Sequence, residues 1–516
     1  MVGATDRMRP VGPVRPGDAG APGPGSTLLT NRHLESPSVL STHRLDIGAE
    51  TGAPRVLLLA PSGGLGGGVE RYLGTVEERL RAGGAEVHRL DLYGPTRPRG
   101  TGSRLRFGAA TLRAARRLAP LDAVLTGHPD LIPVAAAALA AGRAERGPVL
   151  FYGTDLWRTR RLGRALLNRR PALYPLTISS YNAGALAELG VAPVLRPGLA
   201  AAWRATLLAA GARAARANET RQTQTQPTTA PQGATAHATV AQPQPPTLLT
   251  VFSLADANWA GKGLPELIAA LPSVRRAVGP VRLLVAGRGP APDGLRRAVG
   301  AVPDAELVES PDDAALAALY ASADLFVLCT RTHPGRSGEG YGIVLTEAQL
   351  AGCPVVGPVS GGARDAYLDG VTGATPADES PEALAAVLAG LLADRAHLAR
   401  MRRRAAEWAR MATEPAEHTR AVFSAVLGRA PVNRPTEVST TGWTAPPPRP
   451  SWLATTEPRL TAAGAPSPRR PAARVWPERA DLPGAADQDG DDLTSDYLEA
   501  SRGWSDDVEI DDLAGR

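Results

Sequence analysis

One unit recurs along this chain: a short run of consecutive apolar residues, a small-residue turn, then a stretch of helical periodicity. Arg55-Val56-Leu57-Leu58-Leu59-Ala60 opens the first unit, Gly63-Gly64-Leu65-Gly66-Gly67-Gly68 forms its turn, and the helical pattern runs from Val69 to Arg81. Similar runs fall at 86–92, 122–126, 149–152 and 176–179. A second series falls at 248–252, 281–286, 306–308, 324–328 and 354–356, with a long Arg/Ala/Glu helix from Pro381. A strand that is apolar at consecutive positions is buried on both faces, so each series predicts a parallel sheet covered by helices on both sides. The fold class is therefore α/β, with two Rossmann-like doubly wound domains. Ligands of such sheets gather at the carboxyl ends of the strands, and two sheets facing each other place a cleft there.

Composition sets the boundaries. Residues 218–246 are Gln, Thr, Pro and Ala with almost no charge, a disordered connector between blocks 54–217 and 247–428. Residues 1–53 and 429–516 are rich in Pro, with Gly and Ser in the first and an acidic end in the second, and are expected to be disordered. No stretch approaches the ~18 apolar residues of a membrane span, and no apolar core of leader length follows the early arginines. Cys329 and Cys353 are the two cysteines, too few for a disulfide framework, which suggests a cytoplasmic protein.

The net charge of +6 hides a split, because residues 477–516 carry 13 acids and 3 arginines. The body is strongly basic, with an acid-free run of Arg104, Arg106, Arg113, Arg116 and Arg117 and a second run from Arg158 to Arg170. These runs suit either a solvated helix face or peripheral contact with an anionic membrane. Nucleic acid is not an expected partner, since no recognition motif accompanies the charge.

Gly338-Glu339-Gly340-Tyr341-Gly342-Ile343-Val344-Leu345-Thr346-Glu347 sets two carboxylates around a glycine-rich helix start. Amides near Ile343, backed by the helix dipole, suit an anion, and Glu339 and Glu347 suit hydroxyls on either side of it. A nucleotide-diphosphate sugar has that layout. Lys262, in Gly261-Lys262-Gly263-Leu264, is the sole lysine of a chain that otherwise uses arginine. A compact ammonium kept at one position points to a role that a planar guanidinium does not fill.

These segments resemble the retaining glycosyltransferases of family four, which have the GT-B fold and an E-x7-E motif. Ala351-Gly352-Cys353-Pro354-Val355-Val356-Gly357, Ser360-Gly361-Gly362 and Asp369-Gly370-Val371-Thr372-Gly373 extend the resemblance. It implies a hexosyltransferase that uses a GDP- or UDP-sugar co-substrate without a metal or other cofactor. Glu339 holds the transferred sugar in that picture, Lys262 the diphosphate and Glu347 the ribose. Gly340, Tyr341, Gly342, Ile343 and Val344 line the donor, and Gly66 and Gly67 of the first glycine loop face its phosphates. The resemblance also puts His128 beside the sugar, while Asp155 is an acceptor-side candidate that orients an acceptor hydroxyl or His128. Base contacts fall near Gly287-Arg288-Gly289 and Val308-Glu309-Ser310.

Ser253 departs from the pattern, standing where family members carry a phosphate-binding arginine; Arg288 and Arg336 are the candidate replacements. That departure keeps open a catalytically impaired nucleotide-sugar-binding or regulatory module. A nucleotide-sugar epimerase shares the architecture but needs acid and base groups at the sugar carbon. The acceptor class, whether lipid, glycan or small metabolite, is open at this stage.

Overall fold

The computed structural model describes residues 52–65, 67–96, 100–153, 155, 159–189, 192–224, 244–255, 259–333 and 338–432. The expected disordered segments 1–53 and 429–516 lie almost wholly outside these, as does most of the expected connector.

In the first half, β1 (Arg55–Ser62), α1 (Gly68–Ala82), β2 (Glu86–Tyr93), α2 (Thr101–Leu118), β3 (Ala123–Thr126), α3 (Ile132–Gly142), β4 (Gly147–Phe151), α4 (Arg161–Arg169), β5 (Leu173–Thr177) and α5 (Ser180–Ala185) follow in order. The sheet is parallel throughout, ordered β2-β1-β3-β4-β5. Both faces of β1 are covered, which accounts for its unbroken apolar run. Leu57 and Leu59 pack with α2, α3 and α4, while Val56 and Leu58 pack with α1.

The chain then enters α6 (Ala201–Gln224) and the second half: β6 (Thr247–Val251), α7 (Leu264–Val278), β7 (Arg282–Gly287), α8 (Asp293–Gly300), β8 (Ala305–Glu309), α9 (Asp313–Ser322), β9 (Leu325–Val327), α10 (Ile343–Leu350), β10 (Val355–Val356) and β11 (Gly373–Ala374). The second sheet is also parallel, ordered β11-β10-β9-β6-β7-β8. The helix expected from Pro381 is three: α11 (Pro381–Ala393), α12 (Arg395–Ala412) and α13 (Pro415–Leu427). Asp394 breaks the first from the second by accepting the His397 N–H at 2.8 Å, and Pro415 restarts the third.

Two helices depart from the block boundaries read in the sequence. The boundary at 217 falls inside α6, which runs to Gln224 and packs against α9 and α10 of the second half. Conversely, α13 returns to the first half, where it packs on α1. There Tyr174 donates to the Ala425 carbonyl at 2.7 Å, and Arg429 bonds Asp122 at 2.8 Å. Gly83 permits this return, since a Cβ there would lie 2.1 Å from the Phe423 ring.

Candidate functional site

The two halves touch at the carboxyl ends of their sheets, and the glycines flanking Glu339 make the contact. A Cβ on Gly340 would stand 1.7 Å from the Tyr152 carbonyl oxygen after β4, and one on Gly362 1.8 Å from the Gly340 carbonyl. Only glycine allows this approach. A second clasp lies alongside, where Asp365 accepts the Ser180 N–H at 2.8 Å and its hydroxyl at 2.6 Å.

Glu339 is half-buried in this joint. Its Oε1 accepts the Gly342 N–H at 3.1 Å and its Oε2 accepts the Thr330 hydroxyl at 3.3 Å. Gly342, at φ 69°, turns the chain into α10. Among the described residues, the amides of Ile343 and Val344 at that helix start have no backbone partner, as the anion reading requires. Tyr341 differs from its expected place: it is 3 % exposed and packs in the core between the halves.

Lys262 ends a short 3-10 turn and meets no carboxylate among the described residues. Gly263 follows at φ 82°, its backbone so close to β9 that a Cβ would be 2.0 Å from the Cys329 carbonyl. The Gly261 carbonyl accepts the Arg331 N–H at 3.1 Å. The Lys262 turn and the Glu339 loop therefore grip the same segment, Cys329 to Arg331. Burial and Glu266 push the Cys329 thiol up to about 12, and burial does the same to Cys353, so neither serves as a thiolate nucleophile.

From the first half, His128 follows β3 and its Nδ1 accepts the Asp130 N–H at 3.2 Å. Asp155, after β4, is fixed by the amides of Tyr152 (2.9 Å) and Gly153 (2.6 Å). Burial raises its pKa, and His128 lies close enough to oppose that shift. His128 and Asp155 therefore sit at the ends of adjacent strands, Asp155 on the turn that Gly340 contacts and His128 on the loop beside it.

Five of the expected residues need correcting or narrowing. Gly66 and Arg336 lie outside the described residues. Gly67 caps α1, but its loop already holds an anion of its own: the Glu70 carboxylate accepts the N–H groups of Gly64 (2.5 Å) and Leu65 (3.0 Å). Glu347, expected to face the ribose, is 1 % exposed with both oxygens engaged. Oε1 accepts the Trp203 indole N–H at 2.8 Å, Oε2 accepts the Tyr320 hydroxyl at 3.0 Å, and Arg71 stands 3.6 Å from Oε1. Arg288 is exposed and paired with Asp313 at 3.2 Å. The two base-side loops do meet, through a bond from the Gly289 N–H to the Ser310 hydroxyl at 3.0 Å.

Arg71, Trp203 and Tyr320 went unnoticed in the sequence. The one available signal was the arginine directly after the glycine loop and Glu70. Nothing local marks Trp203, a lone aromatic in an alanine-rich helix.

Residues 245–394 match the family described as glycosyl transferases group 1. Over 152 residues the chain is 38 % identical to a GDP-mannose-dependent alpha-(1-6)-phosphatidylinositol monomannoside mannosyltransferase of Mycolicibacterium smegmatis, covering 29 % of this chain and 40 % of that one. The alignment thus spans well under half of that relative's length. A glycosyltransferase structure from Rickettsia africae superposes with a TM-score of 0.55 at 14 % identity, over 73 % of this chain and 99 % of that one. Anabaena HepE in complex with UDP-glucose superposes with a TM-score of 0.52 at 16 % identity, over 72 % and 98 %.

The fold is GT-B. The stretch that matches the group 1 glycosyl transferase model, 245–394, spans the second sheet, and the first sheet faces it at the joint built around Gly340. Among the described residues no cluster of three or more His, Cys, Asp and Glu is arranged to hold a metal, and no helix is long and apolar enough to cross a membrane.

Proposed function

We propose that this protein is a retaining glycosyltransferase that moves a hexosyl group from a nucleotide-diphosphate sugar to an acceptor at an anionic membrane surface. The observation that carries the reading is the joint itself. Glu339 and the turn of Lys262, which has no ion-pair partner among the described residues, grip one segment; the open amides of Ile343 and Val344 follow Glu339, and the Asp155 turn abuts Gly340. The leaving diphosphate develops negative charge, which an ammonium and fixed amide dipoles stabilise without a metal. Glu339 accepts from the sugar hydroxyls. No side chain in the site stands out as an internal nucleophile. Front-face attack therefore accounts for retention: the acceptor oxygen bonds the anomeric carbon on the side from which the diphosphate departs, and its proton passes to the leaving phosphate. The named activity of the mycobacterial relative supports GDP-mannose as the first donor to try.

The acceptor-side proposal rests on the outer layer of the first half. α2 carries no acidic residue and exposes Leu105, Arg106, Arg113, Arg116 and Arg117, with Leu105 68 % exposed. On the other side of α3, α4 exposes Arg161, Leu162 and Arg164 from the same helical layer. Arginines around protruding leucines suit the headgroup region of an anionic bilayer. The test incubates protein and labelled GDP-mannose or UDP-glucose with anionic lipid extract and reads the anomeric configuration of any product by NMR. A product with the donor's configuration supports the proposal; an inverted product refutes retention, and no transfer from either donor refutes the activity.

A further inference from the structure

Glu347 presents a difficulty for any nucleotide that must reach it. It is sealed from solvent, and Trp203 and Tyr320 hold one oxygen each. A third partner is held less firmly. The Arg71 guanidinium is one-third exposed, stands 3.6 Å from Oε1, beyond a good hydrogen bond, and lies 6.0 Å over the Trp203 ring. Arg71 comes from the other half of the molecule, in the first turn of α1, where its N–H bonds the Gly67 carbonyl.

Its reach matters. Ile343 and Glu347 are four positions apart on α10 and so share a face one turn apart, with side chains leaning toward the helix start. A cation beside Glu347 therefore lies about one turn from the open amides of Ile343 and Val344. Among the described residues of the second half, Lys262 is the cation near the Glu339 loop without an ion-pair partner. Ser253 has no charge, and Arg288 is tied to Asp313.

We propose that Arg71 is the second diphosphate cation, held in reserve by Glu347. This rests on the transferase reading above. When a ribose hydroxyl takes Oε1 in place of the Trp203 indole, the carboxylate turns from Arg71, and the freed guanidinium swings along α10 onto the diphosphate. Trp203 competes with the ribose, and Arg71 exchanges one anion for another.

The test compares a nucleoside diphosphate with its nucleoside, GDP with guanosine and UDP with uridine, by calorimetric or NMR titration. Arg71→Gln is expected to weaken diphosphate binding ~10-fold or more, while nucleoside affinity stays the same or rises. Arg71→Lys should recover part of the loss. Trp203→Phe, which keeps the ring and removes the N–H, should tighten both ligands several-fold. Equal losses for both ligands in Arg71→Gln would make Arg71 a structural support of Glu347 and overturn the assignment, as would no loss for either. If the wild-type protein binds neither pair, the transferase reading falls and the assignment with it. If it binds both without this split, the assignment alone falls.

Discussion

Lys262 and Glu347 show two ways in which one side chain can matter. Lys262 has no ion-pair partner among the described residues, so the proposed reaction is where its charge would matter. Lys262→Ala is expected to lower kcat on the order of 100-fold, the cost of removing one preorganised donor to a developing anion, with an unchanged thermal midpoint. Turnover within threefold of wild type would remove it from the site. Glu347 is the reverse case, a buried carboxylate that satisfies two buried donors. Glu347→Leu strands the Trp203 N–H and the Tyr320 hydroxyl, at ~1–3 kcal/mol each. Urea unfolding should show a loss of at least about 2 kcal/mol by that same reckoning; an unchanged midpoint would mean that the cluster relaxes freely.

Single elements explain what the sequence revealed and what it hid. The β1 run was legible because burial on both faces leaves no polar position in Val56 to Ala60. The Glu339 and Lys262 loops were legible because glycine is required where two backbones meet, as the positive φ of Gly263 and Gly342 confirms. Which half a helix joins was not legible. The apolar faces of α6 and α13 say only that each packs somewhere, and both cross to the opposite half. Arg71 was hidden for the same reason, since its partner lies 276 positions along the chain and no local pattern links them. The role of Glu70 was hidden too, because a glycine loop reads the same whether its amides bind a ligand or the next turn's carboxylate. At this scale Gly340→Ala is the sharpest test. Its methyl would collide with the Tyr152 carbonyl and wedge the halves apart, while each sheet stays intact. Small-angle scattering should report a larger radius of gyration with near-normal circular dichroism. An unchanged radius would mean that the joint yields locally.

Over the whole molecule, the joint between halves gives stability a pH dependence. His418 of α13 is buried where α13 meets the first half, against Gly198. Burial first, then nearby Arg79, pushes its pKa from 6.5 down to about 4. The folded state thus favours neutral imidazole. The unfolded chain binds more protons between pH 6.5 and 4, so this contribution is intact above 6.5 and is lost as pH falls toward 4, by about 3 kcal/mol. His418→Leu should flatten the acid limb of the stability profile relative to wild type. Parallel profiles would show that other groups carry it.

The basic outer layer acts at the same scale. Neutralising Arg113, Arg116 and Arg117 to Gln should weaken binding to anionic vesicles on the order of 100-fold at ~1 kcal/mol per cation, with stability unchanged. Equal flotation of variant and wild type would exclude this face.

The proposed function stands or falls on binding of a nucleotide-diphosphate sugar at the Gly340 joint through Lys262. Calorimetric titration of GDP-mannose and UDP-glucose into wild type and Lys262→Ala tests it most directly. Saturable binding of one donor is expected, weakened at least ~10-fold in the variant, as loss of a charge-assisted contact requires. No heat from either donor, or equal affinity in the two proteins, would contradict it.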